Sequence, residues 1–216
     1  MATIAVSPTR MELTRLKGRL KTATRGHKLL KDKRDELMRQ FLEIVRRNRE
    51  LRTRVDEGLS AANQALTVAS SIMSPEELEQ ALLYPKQSVA LDMTLRNIMS
   101  VHVPVYQYVT KTADSSEIYP YGFAQTSGEL DDAIDAMTKV FSDMLELAQV
   151  EKTLQLLADE IEKTRRRVNA LEYVLIPEMK ESIRFISMKL EENDRATKVR
   201  LMKVKDLVLK HAHDFQ

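Results

Sequence analysis

From Leu13 to Ile72, apolar and small residues return at steps of three and four with no turn signal between them. The series runs Leu13, Leu16, Leu20, Ala23, Leu30, Leu37, Phe41, Ile44, Leu51, Val55, Ala62, Ala65, Ala69 and Ile72. It holds a heptad register for about eight repeats. A helix over residues 9–72 would be on the order of 95 Å long at 1.5 Å per residue, and its one apolar stripe requires a partner. His27, Arg34, Asn48 and Gly58 interrupt the stripe. Polar residues at such positions usually fix register and partner at some loss of stability, although a long arginine stem can also pass the seam and reach water. Gly18 and Gly26 each weaken a helix by roughly 1 kcal/mol, an amount that tertiary packing can offset.

A second series begins after Thr126-Ser127-Gly128 with Leu130, Ile134, Met137, Phe141, Met144 and Ala148, and continues through Leu154, Ala158, Ile161, Val168, Leu171 and Leu175. Near Pro177 the spacing lengthens, with Leu175, Met179 and Ile183 four apart, before Ile186, Leu190, Asn193, Thr197 and Val204 resume. Such a stutter locally unwinds a supercoil, and the proline predicts a bend there. An intramolecular antiparallel pair is the economical arrangement; a parallel dimer is the alternative. Setting Leu13 opposite Val204 brings Gly58, Ala61, Ala62, Ala65 and Ala69 against residues 151–158 and leaves part of the longer second arm overhanging. The expected fold is all-α, a long antiparallel two-helix coiled coil. Its parts are an N-terminal arm (1–73), a connection (74–128) and a C-terminal arm (129–216).

The connection carries its own signals. Ser74-Pro75-Glu76-Glu77 has the cap serine, the first-turn proline and the glutamate of a capping box, predicting a short helix to about Leu83, ended by Tyr84-Pro85. Val89, Leu91, Met93 and Leu95 then alternate with polar neighbours, and Ile98, Val101, Val103 and Val105 follow. This predicts a β-hairpin turning near Arg96-Asn97, outside the helical core. Residues 110–127 read as a loop pinned by Tyr119, Tyr121 and Phe123.

Charged residues make up 31% of the 216 residues and aromatics 5%, with no Trp, which suits a rod with a narrow seam better than a globule. The charges are uneven. Residues 1–54 hold 16 Lys+Arg against 6 Asp+Glu, residues 55–160 hold 5 against 17, and residues 161–216 hold 13 against 9. Folded back on itself, such a chain is basic at one pole and acidic at the other. The absence of cysteine excludes disulfides, thiolate metal sites and cysteine nucleophiles, and is compatible with a reducing cytoplasm. No secretory leader pattern opens the sequence and no apolar run approaches a membrane span, so a soluble chain is expected.

No catalytic chemistry emerges. A Gly-rich phosphate loop is missing. The four histidines, His27, His102, His211 and His213, have no carboxylate cluster at ligand spacing, and the last pair reads as a frayed tail rather than a metal site. Glu160, Glu162 and Glu172 sit near Lys or Arg on helical faces, as in solvated salt-bridge surfaces. The basic runs at 15–34, 46–49 and 163–167 raise a nucleic-acid reading, but no stacking aromatics interleave them and the centre is acidic. No catalytic, cofactor-binding or metal residue is assigned, and neither nucleic-acid binding nor direct membrane insertion is expected.

Three blocks carry a family resemblance: Ser7-Pro8-Thr9-Arg10-Met11-Glu12-Leu13, the stretch from Thr24-Arg25-Gly26-His27 through Asp35-Glu36-Leu37, and Glu160-Ile161-Glu162-Lys163-Thr164-Arg165-Arg166-Arg167-Val168-Asn169-Ala170-Leu171-Glu172. Ile176-Pro177, Ile183-Arg184-Phe185-Ile186 and Lys189-Leu190-Glu191-Glu192 extend it. Together they resemble the D subunit of the V/A-type rotary ATPases, its bacterial branch most, over essentially the whole chain. Residues 67–125 add only Asn97-Ile98-Met99 and Val103-Pro104.

The resemblance implies a non-catalytic central rotor stalk that needs no cofactor. It couples ATP hydrolysis or synthesis in a head of catalytic A and regulatory B subunits to a membrane ion-translocating ring, and it lies in the cytoplasm, peripheral to the cell membrane. Arg10, Arg25, Lys28, Lys31, Arg184 and Lys189 are then expected to face the head ring. Leu13, Leu30, Leu37, Phe41, Ile161, Val168, Leu171 and Ile186 are expected to form the seam. Gly58, Ala61, Ala65, Met144, Leu147 and Leu154 are candidates for docking a small F subunit. Val89, Leu91, Ile98, Val101 and Val103 are candidates for the base that meets a funnel-shaped subunit over the membrane ring. The rival readings are a static coiled-coil scaffold and, more remotely, a nucleic-acid protein using the basic pole. Leu37→Asp is expected to cost several kcal/mol by burying a charge or prying the arms apart, measured as a drop in melting temperature; an unchanged melting temperature would reject the register.

Overall fold

A computed structural model describes residues 7–84, 88–111, 119–122 and 126–214, so Pro85 and Phe123 lie outside the described residues. The element order is α1 (Arg10–Ile72), α2 (Pro75–Leu82), β1 (Ser88–Ile98), β2 (Val101–Lys111), α3 (Gly128–Ala170), a π-helical turn (Leu171–Leu175) and α4 (Ile176–Asp214). The chain is all-α with one small β-hairpin, and α1 runs unbroken for 63 residues through both Gly18 and Gly26. It divides into two compact units, Met1–Arg34 with Lys163–Gln216, and Asp35–Glu162.

In the Asp35–Glu162 unit, α1 and α3 pair antiparallel. Leu37 packs with Leu157 and Ile161, and Ala69 packs with Leu130 near the other end. Between them, Val140 occupies the place of a side chain at Gly58, where an added Cβ would overlap the Val140 Cγ2. Arg47 and Arg52 on α1 form ion pairs with Glu146 and Glu151 on α3. The buried line on α1 reads Leu37, Leu51, Val55, Ala62 and Ala69. Ile72, expected on that line, is exposed, and Met73 is buried in its place. At this end the chain leaves the helix, and Met73 packs with Ala69, Ala81 and Leu130.

The expected facing register is corrected. Gly58 meets Val140 rather than residues 151–158. In the other unit Arg10 pairs with Asp194 at 3.2 Å, not a residue near Val204, and His27 lies 3.3 Å from Glu172. Every residue from 191 to 209 is exposed, and those after Asp194 lie beyond the first turn of α1. The pairing therefore ends earlier along α4 than a full-length match of the arms requires.

The stripe on the second arm is also redrawn. Met137, Met144, Ala148, Ala158 and Leu175 are exposed, as are Asn193, Thr197 and Val204, while Ala133, Val140, Val150, Thr153, Leu157 and Thr164 are buried. One cause is that α3 serves two neighbours, α1 and the hairpin, so a single two-stranded seam does not describe it.

The hairpin is antiparallel, with Ile98 opposite Val101 and Leu91 opposite Tyr108. Its turn is Met99-Ser100, both with positive φ (48° and 73°), and not Arg96-Asn97. The Asn97 side-chain oxygen accepts the Ser100 N–H at 2.8 Å, which supports the left-handed backbone of a two-residue turn. Thr110 belongs to β2 rather than to the following loop.

Local capping explains the remaining boundaries. Ser74 caps α2 with the reciprocal Glu77 bond, at 3.3 and 3.0 Å. Tyr119 and Tyr121 donate to Asp135 and Asp131 on α3. Burial first, then the neighbouring carboxylates, push both phenols above their usual range, keeping them protonated donors.

The two kinds of helical glycine make opposite predictions. Nothing lies within 4 Å of a Cβ at Gly18, so Gly18→Ala should stabilise the chain by up to about 1 kcal/mol through helix propensity. Gly58→Ala should destabilise it, because the helices must separate around Val140. Denaturant melts of the two variants check this; stabilisation by both would contradict the close approach at Gly58.

Candidate interaction surfaces

Among the described residues no three His, Cys, Asp or Glu side chains gather as a metal site, and no helix is long and apolar enough to cross a membrane. The side chains of His211 and His213 lie outside the described residues.

Charge separates the two units. The unit of residues 1–34 and 163–216 holds 23 Lys+Arg against 10 Asp+Glu, net +13, and the unit of residues 35–162 holds 11 against 22, net −11. Arg10, Arg25, Lys28, Lys31, Arg184 and Lys189 all fall in the basic unit. Arg10, Arg25, Lys28, Lys31 and Arg184 are exposed, whereas Lys189 is half-buried and bonded to Glu192 at 2.9 Å. That bond holds the Glu192 carboxyl below its usual range.

Of the seam candidates, Leu37, Ile161, Val168 and Ile186 are buried, and Leu13, Leu30, Phe41 and Leu171 are half-buried. Thr164 is completely buried, and its hydroxyl oxygen has no hydrogen-bond partner among the described residues.

Gly58, Ala61, Ala65, Met144, Leu147 and Leu154 all belong to the acidic unit. Ala61 and Met144 are exposed, Ala65, Leu147 and Leu154 are half-buried, and Gly58 is occupied by contact with Val140. Gly58 itself is half-buried.

The hairpin residues divide. Val101 and Val103 are buried against Leu37, Leu157 and Ile161, with Ile98 packed beside them. Farther along β2, the Tyr106 N–H donates to the Gln149 side chain at 2.9 Å, and the Tyr108 ring meets Phe141 edge-on at 6.1 Å. The hairpin thus lies lengthwise on α3 and completes a core, which corrects its expected place outside the helices. Ile98, Val101 and Val103 are spent on that packing. Val89 and Leu91 remain exposed with Met93 and Leu95, all on one face of β1, whose outer edge has no strand partner among the described residues. An apolar, unpaired edge strand of 11 residues is unusual on a surface that meets only water.

A further surface was missed in the sequence. In the basic unit, Gly18, Thr22 and Ala23 of α1 face Leu171, Leu175 and Met179 across an open groove. Pro177, preceded by Leu171-Glu172-Tyr173-Val174-Leu175, was its one sequence signal.

The chain matches the family model described as the D subunit of ATP synthase over residues 12–206. It is 62% identical over 216 residues to the V-type ATP synthase D subunit of Acetivibrio thermocellus, covering 100% of this chain and 97% of that protein. It is 59% identical over 212 residues to the protein of the same name from Clostridioides difficile, covering 98% and 95%. A third such protein, from Clostridium botulinum, is 57% identical over 204 residues, covering 94% of each chain. This chain belongs to the family of ATP synthase D subunits.

Val103→Asp should destabilise the isolated chain by several kcal/mol, whereas Leu91→Asp should change its stability by less than about 0.5 kcal/mol. Thermal melts of both test the packed strand β2 against the exposed strand β1. Equal effects would contradict its placement on α3.

Proposed function

We propose that this chain is the central rotor stalk of a V-type ATP synthase, a non-catalytic subunit that transmits torque between ATP chemistry in the head and ion movement in the membrane. The observation that carries the reading is a 63-residue helix paired antiparallel with a second long arm, in a chain 62% identical over its full length to a V-type ATP synthase D subunit. A rotor must be stiff, and paired helices resist bending better than a single one. It must also be asymmetric, so that three equivalent catalytic pockets meet different faces. Finally, it must not lock. Exposed charge pairs are worth only about 0–1 kcal/mol each, so a basic surface can hold an acidic ring loop and release it.

By this reading Arg10, Arg25, Lys28, Lys31, Arg184 and Lys189 face the catalytic A and regulatory B subunits. Ala61, Ala65, Met144, Leu147 and Leu154 offer a docking face for the small F subunit, and the exposed β1 residues Val89 and Leu91 offer one for the funnel-shaped subunit over the membrane ring. The parts correspond to a first arm (1–73), a connection (74–128) and a second arm (129–216), and the assembly lies on the cytoplasmic side, peripheral to the membrane.

Because the chain has no cysteine, the reading has a clean test. Arg25→Cys is paired with a cysteine in a facing ring loop whose other thiols have been removed, and oxidation joins them where the Cα atoms come within about 7 Å. The joined arm can no longer visit the three pockets in turn, so sustained ATP hydrolysis should stop and reductant should restore it. Full multi-turnover activity in completely cross-linked complexes would sink the rotor reading in favour of a static scaffold.

A further inference from the structure

We propose that the outer edge of β1 pairs antiparallel with the same edge of a second copy of this chain, about a two-fold axis at Thr94. The inference stands on the hairpin alone and goes beyond the rotor reading.

The ladder fixes which backbone groups face outward. Tyr106 stands opposite Met93, yet its N–H donates to Gln149 on α3 rather than to β1. Facing residues of an antiparallel pair alternate between exchanging both backbone bonds and exchanging neither. Met93 and Tyr106 are therefore a non-bonded pair, and so are the pairs two residues away on either side. Pro104, which has no N–H to give, falls opposite Leu95 in that same set. The backbone N–H and C=O groups of Val89, Leu91, Met93, Leu95 and Asn97 thus point away from β2, while β2 turns its own outer edge toward α3. Every residue from Ser88 to Asn97 is exposed, and among the described residues no strand pairs with this edge.

Exposed edges are usually blunted by proline, lysine, a bulge or short length. β1 uses none of these: it runs for 11 residues without Pro or Lys and keeps one register from Ser88 opposite Lys111 to Ile98 opposite Val101. Its two charges, Asp92 and Arg96, select the occupant. Outward-facing residues must bond to outward-facing ones, so a two-fold axis passes through a residue and not between two. With the axis at Thr94, Asp92 of each copy lies directly opposite Arg96 of the other, Met93 lies opposite Leu95, and Thr94 meets itself. Opposite charges and paired threonines at facing positions are favourable cross-strand contacts. An axis at Asp92 brings two carboxylates together, and an axis at Met93 or Leu95 leaves both charges unmatched. The edge is complementary to itself in one register, as a closed two-fold interface requires. The like net charge of two acidic units opposes their approach, but salt largely screens exposed charges more than about 8 Å apart at physiological ionic strength. A shaft turning in a ring is a single copy, so by the rotor reading the pair is a state of the chain before assembly.

The test follows the mass of the full chain by sedimentation across a concentration series at about 0.15 M salt. Wild type should dimerise. Asp92→Arg and Arg96→Asp should each weaken the dimer at least tenfold, and the double variant, which restores the opposite pairs, should return to within threefold of wild type. Both side chains are exposed, and melting temperatures establish that the variants fold. A second measurement uses the absence of native cysteine. Thr94→Cys puts two thiols at a non-bonded pair with Cα atoms about 4.5 Å apart, within disulfide reach, so oxidation should give a covalent dimer that reductant dissolves. Ala90→Cys should give none, because the two copies of that residue lie on the order of 27 Å apart along the strands. A monomer at every concentration overturns the proposal. A dimer indifferent to the charge reversals, or cross-linked equally well through Ala90→Cys, also overturns it and assigns the contact to another surface. Charge reversals that the double variant fails to rescue overturn the register at Thr94. None of these outcomes bears on the rotor reading.

Discussion

Contact between α1 and α3 is made by side chains that shrink along α1, from Leu37 and Leu51 through Val55 to Gly58, Ala62 and Ala69. Large residues fill a wide interval and small ones close a narrow one, so size along this line decides how near the helices come. Much of the acidic unit is arranged around that decision. Near Leu37 there is room for a third element, and the hairpin supplies Val101 and Val103. At Gly58 no room remains, and Val140 fills the position of the absent side chain. Near Ala69 the chain turns, and Met73, Ala81 and Leu130 complete a second small core. With so few large buried residues, each core depends on an added element as well as on helix pairing.

Several features were legible because their physics is local. The heptad stripe of the first arm, the capping box at Ser74 and the presence of a hairpin each depend on residues close in sequence. Facing register was not legible, since it depends on which small residue meets which branched one across more than eighty positions, as Gly58 meets Val140. The hairpin turn was misplaced because Met99-Ser100 lacks the usual Asn-Gly signature; its left-handed backbone is held by a side chain two residues earlier.

The candidate surfaces were read unevenly for a related reason. Basic residues such as Arg25 and Lys28 are exposed whichever register the arms adopt, so charge alone found them. Val101 and Val103 look like Val89 and Leu91 in sequence, yet one pair is buried and the other exposed. Only the docking of the hairpin along α3, through Gln149 and Phe141, separates them. The groove beside Gly18 lay further from view, because it needs a missing side chain on one arm and an extra residue on the other.

Rotation itself is the most direct measure of what these features serve. A single cysteine at Leu91, exposed on β1, can carry a small gold particle while the head is fixed to a surface through its ring subunits. With ATP supplied, the particle should turn in one direction with three pauses per revolution. A particle that holds one angle while the same immobilised heads hydrolyse ATP would contradict a rotor and leave a chain that only bridges its neighbours.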